Sequence, residues 1–557
     1  MSVEAKYQLW LNEPNMPTYL KSELEAMTPK IKEEAFISDL EFGTGGLRGI
    51  LGAGTNRMNI FTVRKTSQGY ANYLARDPKN KEKGIAIGYD NRHFSKEFAS
   101  EVAEVFAYNG FRVYLYKELR PTPLLSYAIR YYNCAGGVMI TASHNPKEYN
   151  GYKVYNASGS QLNVQEADDA IFEVNKITNY FDIKTVKNDL IVPILEEVEA
   201  AYLEEVRKIK INEVENKATI LYSPLHGTGK TIIPRFLQEE GYNLLEYNPH
   251  STIDPNFTNA KSSNPEMPEA WENMAEVALK HDADAIILTD PDTDRTGISV
   301  RHGDDYILLN GNQGAALTVY YILSQRQANG ILEEDGYVYS TIVTSDLILE
   351  IAKSFNQNAQ AVLTGFKFVG EQALLIEGKH KFQFACEESI GSIISDFVRD
   401  KDAVQQVYMY AEMASWLKSQ GRDFIDYLHE IYDKYGYYLE YTHNLVLTGL
   451  EGAKKIRGIM DYVRANQIEL KDYKMVKYDD ISVSKTYYSD GTTKPIDLYK
   501  SNVLKFYFED GMWIVFRPSG TEPKLKIYFS VIGTNPRDAE DKLNKVVGQV
   551  LDFTHKI

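Results

Sequence analysis

A serine in a tight loop is the first residue of this chain that could carry reactive chemistry. Ser143 stands in the stretch Thr-Ala-Ser-His-Asn-Pro at residues 141–146, directly after an apolar run. A hydroxyl at the end of a strand can be exposed and held by loop amides, whereas the ordinary alternative is a helix-cap or turn serine. The neighbouring His144 is a second catalytic candidate, and Lys153, ten residues after Ser143, could place its positive charge at the same site.

Three aspartates at alternate positions follow another apolar run. Asp290, Asp292 and Asp294 come directly after residues 285–289, and in extended chain their carboxylates point the same way. Crowded carboxylates repel one another unless a cation neutralises them. Mg²⁺ prefers such oxygen ligands, completed by phosphate or water. The structural alternative is an Asp-rich turn, and an EF-hand is excluded because the loop lacks that motif's glycine and distal glutamate.

A short acidic loop at residues 385–391 could bind the hydroxyls of a polyol. Glu387 and Ser389 lie two positions apart after an apolar stretch, so both side chains could face one ligand. Both can form hydrogen bonds with hydroxyl groups. A strand-end turn with solvated acids explains the same residues equally well.

An arginine is combined with small polar residues in the loop at 516–523. Arg517 offers a planar pair of donors that matches phosphate oxygens. Ser519, Gly520 and Thr521 supply hydroxyls and a backbone that an anion can approach closely. The loop therefore indicates a phosphate site, with a plain glycine hairpin as the structural alternative.

Three weaker candidates accompany these loops. Arg48 ends a glycine-rich stretch that has neither the P-loop ending nor the full dinucleotide-binding fingerprint. The stretch that begins Thr364-Gly365-Phe366 could place backbone groups near a ligand, and Lys401 adds a cation. Each of these is, taken alone, more typical of structure than of function.

Apolar runs alternate with amphipathic stretches and end at the loops that carry chemistry. The sequence predicts strands at 84–90, 111–116, 137–140 and 284–289, and a helix at 95–107. Such alternation favours α/β layers with a mainly parallel sheet. Ligands of these sheets bind beyond the carboxyl ends of the strands, so the loops after these strands are the expected sites.

The chain divides into four expected domains. A helix from about residue 192 to 209 precedes a new strand at 218–222, and a strand at 337–342 lies in a third unit. A helix at 424–435 is followed by Tyr- and Gly-containing sequence that resembles a linker. The last segment predicts a smaller α+β unit, with strands at 505–508, 512–516 and 525–532 and a helix at 536–553. The expected domains are 1–209, 210–305, 306–437 and 438–557.

Composition excludes several classes of protein. The chain has 557 residues, ample for several cores. Its 61 basic and 77 acidic residues give a net charge of −16, which argues against nonspecific nucleic-acid binding but permits a local anion site. Two cysteines exclude a disulfide framework. The sequence has no signal-peptide core and no membrane-spanning run, so we expect a cytoplasmic protein, monomeric or dimeric.

Taken together, the loops resemble the α-D-phosphohexomutase superfamily, and within it the phosphoglucomutase and phosphomannomutase-type enzymes. The resemblance covers roughly residues 40–550, and the loops follow the family's order along the chain. The sequence motifs at 43–49, 224–229 and 517–524 are similar to those of the branch that includes phosphopentomutases and a glucose-1,6-bisphosphate synthase. It implies four domains around a central cleft, three α/β domains with mixed sheets and a smaller C-terminal α+β domain.

The resemblance also implies a role for each candidate. Ser143 would carry the phosphoryl group and, with Asp290, Asp292 and Asp294, would hold one Mg²⁺ ion. Arg295 and Arg48 would lie against the reacting groups, with His144 beside them, and Lys153 matches the family's candidate general base, which burial beside other cations would help to deprotonate. The remaining candidates would bind substrate: Glu387, Ser389 and residues 364–366 the sugar, Lys401 a glucose-type substrate, and Arg517, Ser519, Gly520 and Thr521 the non-reacting phosphate.

The implied reaction is the reversible interconversion of α-D-glucose 1-phosphate and glucose 6-phosphate through glucose 1,6-bisphosphate. Phosphomannomutase, phosphopentomutase or dual-specificity activity stays open, as does bisphosphate synthesis from a second phosphoryl donor. A metal-dependent phosphatase would need an activated water or an aspartyl nucleophile and would release phosphate. A noncatalytic sugar-phosphate-binding relative would have lost Ser143 or an aspartate, and this chain retains them all.

Overall fold

The computed structural model describes residues 1–43, 45–447, 449–519 and 524–555. Within these residues the chain forms four β-sheets in sequence order, each packed with helices. Three of the sheets mix parallel and antiparallel strands and the fourth is antiparallel, which agrees with the fold class expected from the sequence.

The first sheet has six strands: β1 (Leu47–Ile50), β2 (Ile85–Tyr89), β3 (Val113–Leu115), β4 (Gly136–Ile140), β5 (Tyr149–Asn156) and β6 (Ile191–Pro193). Its order is β1-β5-β4-β2-β3-β6, and only the pairs that include β5 are antiparallel. Nine helices accompany it among the described residues: α1 (Val3–Leu11), α2 (Thr18–Glu25), α3 (Pro29–Phe36), α4 (Ile60–Leu74), α5 (Asn80–Lys83), α6 (Ser95–Tyr108), α7 (Thr122–Tyr131), α8 (Val164–Asn175) and α9 (Glu196–Arg207). The fully buried strands β2 and β4 run side by side, so the loops after them lie at one edge.

The second sheet has five strands: β7 (Thr219–Ser223), β8 (Asn243–Glu246), β9 (Ala285–Thr289), β10 (Thr296–His302) and β11 (Asp305–Leu308). Its order is β11-β10-β9-β7-β8, with α10 (Ile233–Glu239) and α11 (Met274–Lys280) packed on it. The central strand β9 is buried along its whole length and ends at the aspartate loop. Because β11 continues this sheet to Leu308, the sheet crosses the boundary expected at residue 305.

The third sheet is the smallest: β12 (Tyr337–Thr341), β13 (Asn358–Val362), β14 (Phe382–Cys386) and β15 (Ser392–Ile393) in the order β13-β12-β14-β15. Its helices are α12 (Gly311–Ala328), α13 (Leu347–Ser354), α14 (Phe366–Ile376), α15 (Ala403–Ser419) and α16 (Phe424–Tyr435). Helix α15 is buried on almost every side. This helix lies inside the protein, where a helix without a polar face is stable.

The fourth sheet has seven antiparallel strands: β16 (Tyr437–Val446), β17 (Met475–Asp480), β18 (Lys485–Tyr488), β19 (Thr493–Pro495), β20 (Leu504–Phe508), β21 (Trp513–Pro518) and β22 (Lys524–Gly533). Their order is β16-β22-β21-β20-β17-β18-β19. Helices α17 (Gly449–Asn466) and α18 (Pro536–His555) accompany this sheet.

Several apolar clusters form the interior, and the largest extends across domains. One continuous apolar core includes Leu124 of the first domain, Ile287 of the second and Val338 of the third. The fourth domain has a core of its own, and a smaller cluster joins it to the third domain. The first three domains therefore form one packed body, which fixes the relative positions of their loops. No helix among the described residues combines the length and the apolar character that crossing a membrane requires.

Two expectations about elements are wrong. The helix expected from about residue 192 begins only at Glu196, because residues 191–193 form the edge strand β6 beside β3. The sequence after Tyr435, expected to be a linker, is strand β16, which pairs with β22 over its whole length. Only Gly436, with φ near 104°, interrupts the chain between α16 and β16.

Candidate active site

A cleft of about 820 Å³ is lined by residues of all four domains. Most of the candidates selected from the sequence lie on its wall: Arg48, Ser143, His144, Lys153, Asp294, Arg295, Thr364, Gly365, Phe366, Glu387, Ser389, Lys401 and Arg517. They lie on strands of the first and fourth sheets, as Arg48, Lys153 and Arg517 do, or in segments that follow strands of the first three sheets. Residues that are hundreds of positions apart in the chain therefore face one volume.

Ser143 lies in the turn between β4 and β5 and is almost completely buried. Its backbone is left-handed, with φ near 51°, a conformation that a residue with a side chain adopts only when its surroundings hold it. The amide of Ser143 donates to the Thr141 hydroxyl at 2.8 Å. Its own hydroxyl donates to Asp290 at 2.7 Å and lies 3.3 Å from the Nδ1 of His144. The nucleophile candidate thus directly touches the aspartate loop of the second domain.

Asp290, Asp292 and Asp294 form one buried cluster whose ligand atoms all lie within 4.8 Å of one another. Burial, and next the charges of its two neighbours, raises the pKa of Asp290 well above its ordinary range. One oxygen of Asp292 and one of Asp294 are buried without any hydrogen-bond donor. Unsatisfied buried acceptors are expensive, and three hard oxygen donors suit Mg²⁺. The residues present therefore fit a divalent cation.

Two lysines neutralise this cluster in the structure. Lys153 Nζ lies 2.8 Å from Asp292 and 3.0 Å from Asp294, and Lys401 Nζ lies 3.3 Å from Asp294. Burial alone would raise the pKa of Asp294, but Lys153 and Lys401 hold it well below its ordinary value. Both lysines remain charged for the same reason.

The expected loss of charge on Lys153 is wrong for this state of the protein. Burial and the neighbouring Lys401 would lower the pKa of Lys153, but the two carboxylates outweigh them and raise it. The aspartates that pair with Lys153 belong to another domain, so their effect on its pKa is not visible in the local sequence. An unprotonated Lys153 requires that these ion pairs be broken.

Two arginines and a neutral histidine line the cleft together with Ser143. Arg48 on β1 donates to the side chain of Asn145 at 2.8 Å. Arg295 lies 3.8 Å from Asp294, and its buried Nε has no hydrogen-bond acceptor. Burial, and next the charges of Arg295 and Arg48, holds the pKa of His144 well below its ordinary value. This part of the cleft is therefore set up to receive an anion.

The sugar-loop candidates lie on the wall formed by the third domain. Glu387 is buried at the end of β14 and accepts a hydrogen bond from the Gly365 amide at 3.0 Å. That bond joins the two loops predicted separately to contact substrate. The neighbouring Glu388 also lines the cleft, where burial, and next the charge of Glu387, raises its pKa to about 7. Thr364 adds a buried hydroxyl oxygen without a partner.

The phosphate-loop candidates are only partly described. Arg517 lines the cleft, and its guanidinium donates to the Tyr528 hydroxyl at 3.3 Å. The amide of Ser519 donates to the Lys524 carbonyl at 2.7 Å, and Ser519 lines an adjoining cavity that shares Arg517 and Lys524 with the cleft. Gly520 and Thr521 lie outside the described residues.

Sequence reasoning missed two groups that support this site. Asp400 is buried and accepts hydrogen bonds from Tyr155, Gln161 and Lys401, which fixes the Lys401 side chain. The signal was present, because Asp400 precedes Lys401 in a run of charged residues. The second group, Asn91 and Arg92, follows the predicted strand at 84–90 and lies beside the Ser143 loop.

Comparison with known proteins gives matches over nearly the whole chain. Models of the phosphoglucomutase/phosphomannomutase family match in order: alpha/beta/alpha domain I at 39–181, domain II at 200–303, domain III at 310–435 and the C-terminal domain at 463–540. A phosphoglucomutase of Staphylococcus aureus strain MSSA476 is 37% identical over 551 residues, which cover 97% of this chain and 98% of that protein.

Two solved structures share the fold. The open form of Paramecium pp63/parafusin, a phosphoglucomutase, matches with a TM-score of 0.66 and 17% identity, covering 91% of this chain and 94% of that one. A phosphoglucomutase/phosphomannomutase family protein of Burkholderia thailandensis matches with a TM-score of 0.64 and 15% identity, covering 90% and 95%. At these identities the structural likeness supports the architecture alone.

Proposed function

The chain belongs to the phosphoglucomutase/phosphomannomutase family, and we propose that it reversibly interconverts α-D-glucose 1-phosphate and glucose 6-phosphate. The observation that carries the proposal is the contact between Ser143 and Asp290, 2.7 Å long, in a cleft lined by all four domains. This contact places the Ser143 hydroxyl beside a cluster of carboxylates suited to a cation, in a cleft with room for a sugar phosphate.

In the proposed reaction Ser143 carries the phosphoryl group between two positions of the sugar. The bond from phosphorus to the Ser143 oxygen breaks while a bond to the free sugar hydroxyl forms, and that hydroxyl gives up its proton. The resulting glucose 1,6-bisphosphate turns round in the cleft, and Ser143 takes the other phosphoryl group. Phosphoryl transfer demands alignment and charge neutralisation more than covalent work.

The charged residues around Ser143 provide that neutralisation. Arg48 and Arg295 line the cleft beside the hydroxyl and would face the oxygens of the transferring group. Lys153 is the candidate for moving the proton, and it must first leave Asp292 and Asp294, the partners that keep it charged. His144, kept neutral, has its Nδ1 3.3 Å from the Ser143 oxygen, and because the hydroxyl proton is donated to Asp290, the tautomer with Nδ1–H would donate to that oxygen.

Asp290, Asp292 and Asp294, with an oxygen on Ser143, would hold one Mg²⁺ ion. Bound there, the ion would neutralise charge on the transferring phosphoryl group. The support for this assignment is the donor set itself, three buried carboxylates with two oxygens that lack hydrogen-bond donors.

The remaining candidates would bind and orient the substrate. Glu387 and Ser389 would contact sugar hydroxyls beside the loop at 364–366, and Lys401 would meet the substrate from the same wall. Arg517 and Ser519, with Gly520 and Thr521, would hold the phosphate that does not react. One phosphate clamp serves both binding orientations, because each monophosphate places its phosphate at the same end. We expect this small-molecule enzyme to be cytoplasmic, monomeric or dimeric.

Replacing Arg517 tests the phosphate clamp. We expect Arg517→Gln to lower kcat/KM for glucose 1-phosphate and for glucose 6-phosphate alike, by roughly 10- to 100-fold, because charge-assisted bonds to phosphate contribute about 1.5–3 kcal/mol. The level of phosphorylated Ser143 in protein incubated with excess bisphosphate should change little. Steady-state kinetics in both directions and intact mass provide the measurements.

Arg537→Gln is the matched control, since Arg537 is exposed on α18 of the same domain. It should behave as wild type. An Arg517 variant that lost activity in only one direction, or in neither, would contradict a clamp common to both orientations.

The substrate assignment is tested by direct comparison. Turnover of glucose 1-phosphate, mannose 1-phosphate and ribose 1-phosphate should be measured with the bisphosphate activator present, and glucose 1-phosphate should react fastest. Support for glucose comes from the 37% identical relative and from Lys401. Equal or faster turnover of ribose 1-phosphate would make the protein a pentomutase, and accumulation of free phosphate would identify a phosphatase.

A further inference from the structure

Three consecutive buried residues follow strand β2 beside the Ser143 loop. Asp90, Asn91 and Arg92 are each at most 6% exposed. None of them is among the residues expected to touch substrate or metal. Burial of an aspartate, an amide and a guanidinium at one strand end costs desolvation free energy, which hydrogen bonds and ion pairs must offset.

Arg92 holds the turn that contains Ser143. Its guanidinium donates to the carbonyls of Ser143 and Asn145, and also to Pro146 at 2.8 Å and Tyr149 at 3.1 Å. Its Nε forms an ion pair with Asp90 at 3.3 Å. A planar fork with several donors can satisfy carbonyls that converge from a strained turn. Arg92 therefore stabilises the left-handed conformation of Ser143 through the backbone carbonyls of this turn.

Asn91 turns the other way and reaches the second domain. Its amide donates to the carbonyl of His226 at 2.9 Å and to that of Asp254 at 3.1 Å. His226 and the preceding Leu225 are both left-handed, with φ near 63° and 44°. The Asn91 bond thus holds one end of a strained loop, the Pro-Leu-His-Gly-Thr-Gly stretch at 224–229.

The other end of that loop supports the aspartate loop. The amide and hydroxyl of Thr228 both donate to the Pro291 carbonyl, at 2.8 and 2.9 Å, and the hydroxyl lies 2.7 Å from that of Thr293. Gly227 approaches Pro291 so closely that an added Cβ would lie 2.3 Å from its Cα. The metal-ligand candidates on either side of Pro291 and Thr293 are thereby held in place.

We propose that Asn91, Arg92 and Thr228 are positioning residues that set the distance between the Ser143 oxygen and the aspartate cluster. The direct hydrogen bond between these two loops uses the Ser143 hydroxyl, the group that gains and loses the phosphoryl group in the proposed reaction. The bridge through Asn91 does not use that hydroxyl, so it keeps its geometry when Ser143 gains or loses a phosphoryl group. The inference rests on the proposed function of Ser143.

The test is kinetic and uses variants at both ends of the bridge. Asn91→Leu removes the amide donor with little change of size, and Thr228→Val removes the hydroxyl isosterically. Each should lower kcat on the order of 10- to 100-fold, since small displacements of reacting groups have effects of that size. KM should stay within about two-fold, because neither side chain lines the cleft. The double variant should lose less than the product of the single losses, since both act through one connection.

One further variant and two controls separate positioning from stability. Arg92→Lys keeps the charge and loses the fork, and it should share the kcat loss. Asn109→Leu and Arg64→Lys are the controls, because Asn109 donates to a backbone carbonyl and Arg64 pairs with Glu101 in the same domain, away from the cleft. Thermal unfolding of every variant, measured alongside, corrects kcat for the folded fraction.

The outcomes are distinct. A kcat loss with unchanged KM, absent from the controls and surviving the correction for folding, supports the proposal. Variants with wild-type kcat, or with a rise in KM that matches the loss of kcat, overturn it. A wild-type protein without mutase activity on any sugar phosphate would instead refute the proposed function.

Discussion

Ser143→Ala is expected to reduce mutase turnover to the background rate, a loss on the order of 10⁴-fold or more. The methyl group that replaces the hydroxyl can neither carry the phosphoryl group nor take it back from the bisphosphate. The Thr122 hydroxyl also donates to the cluster, to Asp292 at 3.2 Å from the first turn of α7, but Ser143 lines the cleft and Thr122 does not. Turnover of glucose 1-phosphate with the activator present measures the loss.

The covalent state of the protein provides the second readout. Wild-type protein incubated with glucose 1,6-bisphosphate should gain the mass of one phosphoryl group, and Ser143→Ala should gain none. Ser389→Ala is the matched control, because Ser389 is another serine on the wall of the same cleft. That control should still be phosphorylated while its sugar binding is weakened. Phosphorylation or turnover that survived in Ser143→Ala would remove this residue from the mechanism.

The loops could be predicted because each follows a short buried strand. The strands before Ser143 and Asp290 are buried at every position, so the apolar run in the sequence ends close to where the strand ends in the fold. Polar residues there must lie at a sheet edge. That the two edges meet at 2.7 Å across a domain boundary follows from the packing of two sheets, about which the local pattern says nothing.

The left-handed backbone conformations in the site could not be predicted from residue types. Ser143 and Thr293 are left-handed although neither is glycine or asparagine, the residues that usually mark such positions. Their conformations are imposed from outside, by Arg92 in one case and by the bond to Thr228 in the other. Strain of this kind depends on tertiary contacts and is invisible to propensity.

Two of the wrong expectations, the linker after Tyr435 and the charge of Lys153, share one physical cause. The Tyr- and Gly-containing sequence after Tyr435 lacks the apolar run that marks a central strand and so resembles a linker. Pairing with β22 makes it strand β16 instead, with side chains that are mostly half-exposed. The charge on Lys153 was misjudged because its partners, Asp292 and Asp294, come from another domain. In both cases a distant segment decides the outcome.

Removal of one carboxylate from the aspartate cluster should abolish the dependence of mutase activity on Mg²⁺. Asp292→Asn retains the shape of the side chain but places a neutral amide where a buried carboxylate oxygen now lacks any donor. We expect activity to fall by at least about 100-fold, the scale of losing one electrostatic contribution to the transition state. Mutase assays with increasing Mg²⁺ after chelation measure this, and wild-type activity should be lost on chelation and restored by Mg²⁺.

Stability supplies a readout that does not depend on catalysis. A ligand at about 100 times its Kd stabilises the folded state by about 2.7 kcal/mol, so Mg²⁺ should raise the thermal midpoint of the chelated wild-type protein and leave Asp292→Asn unmoved. Asp284→Asn is the control, because Asp284 precedes the same strand β9 at its opposite end and binds the Thr219 amide. It should respond to Mg²⁺ as wild type does. A midpoint that rises equally in all three proteins would mean that the ion binds elsewhere, and the buried carboxylates would then need another partner.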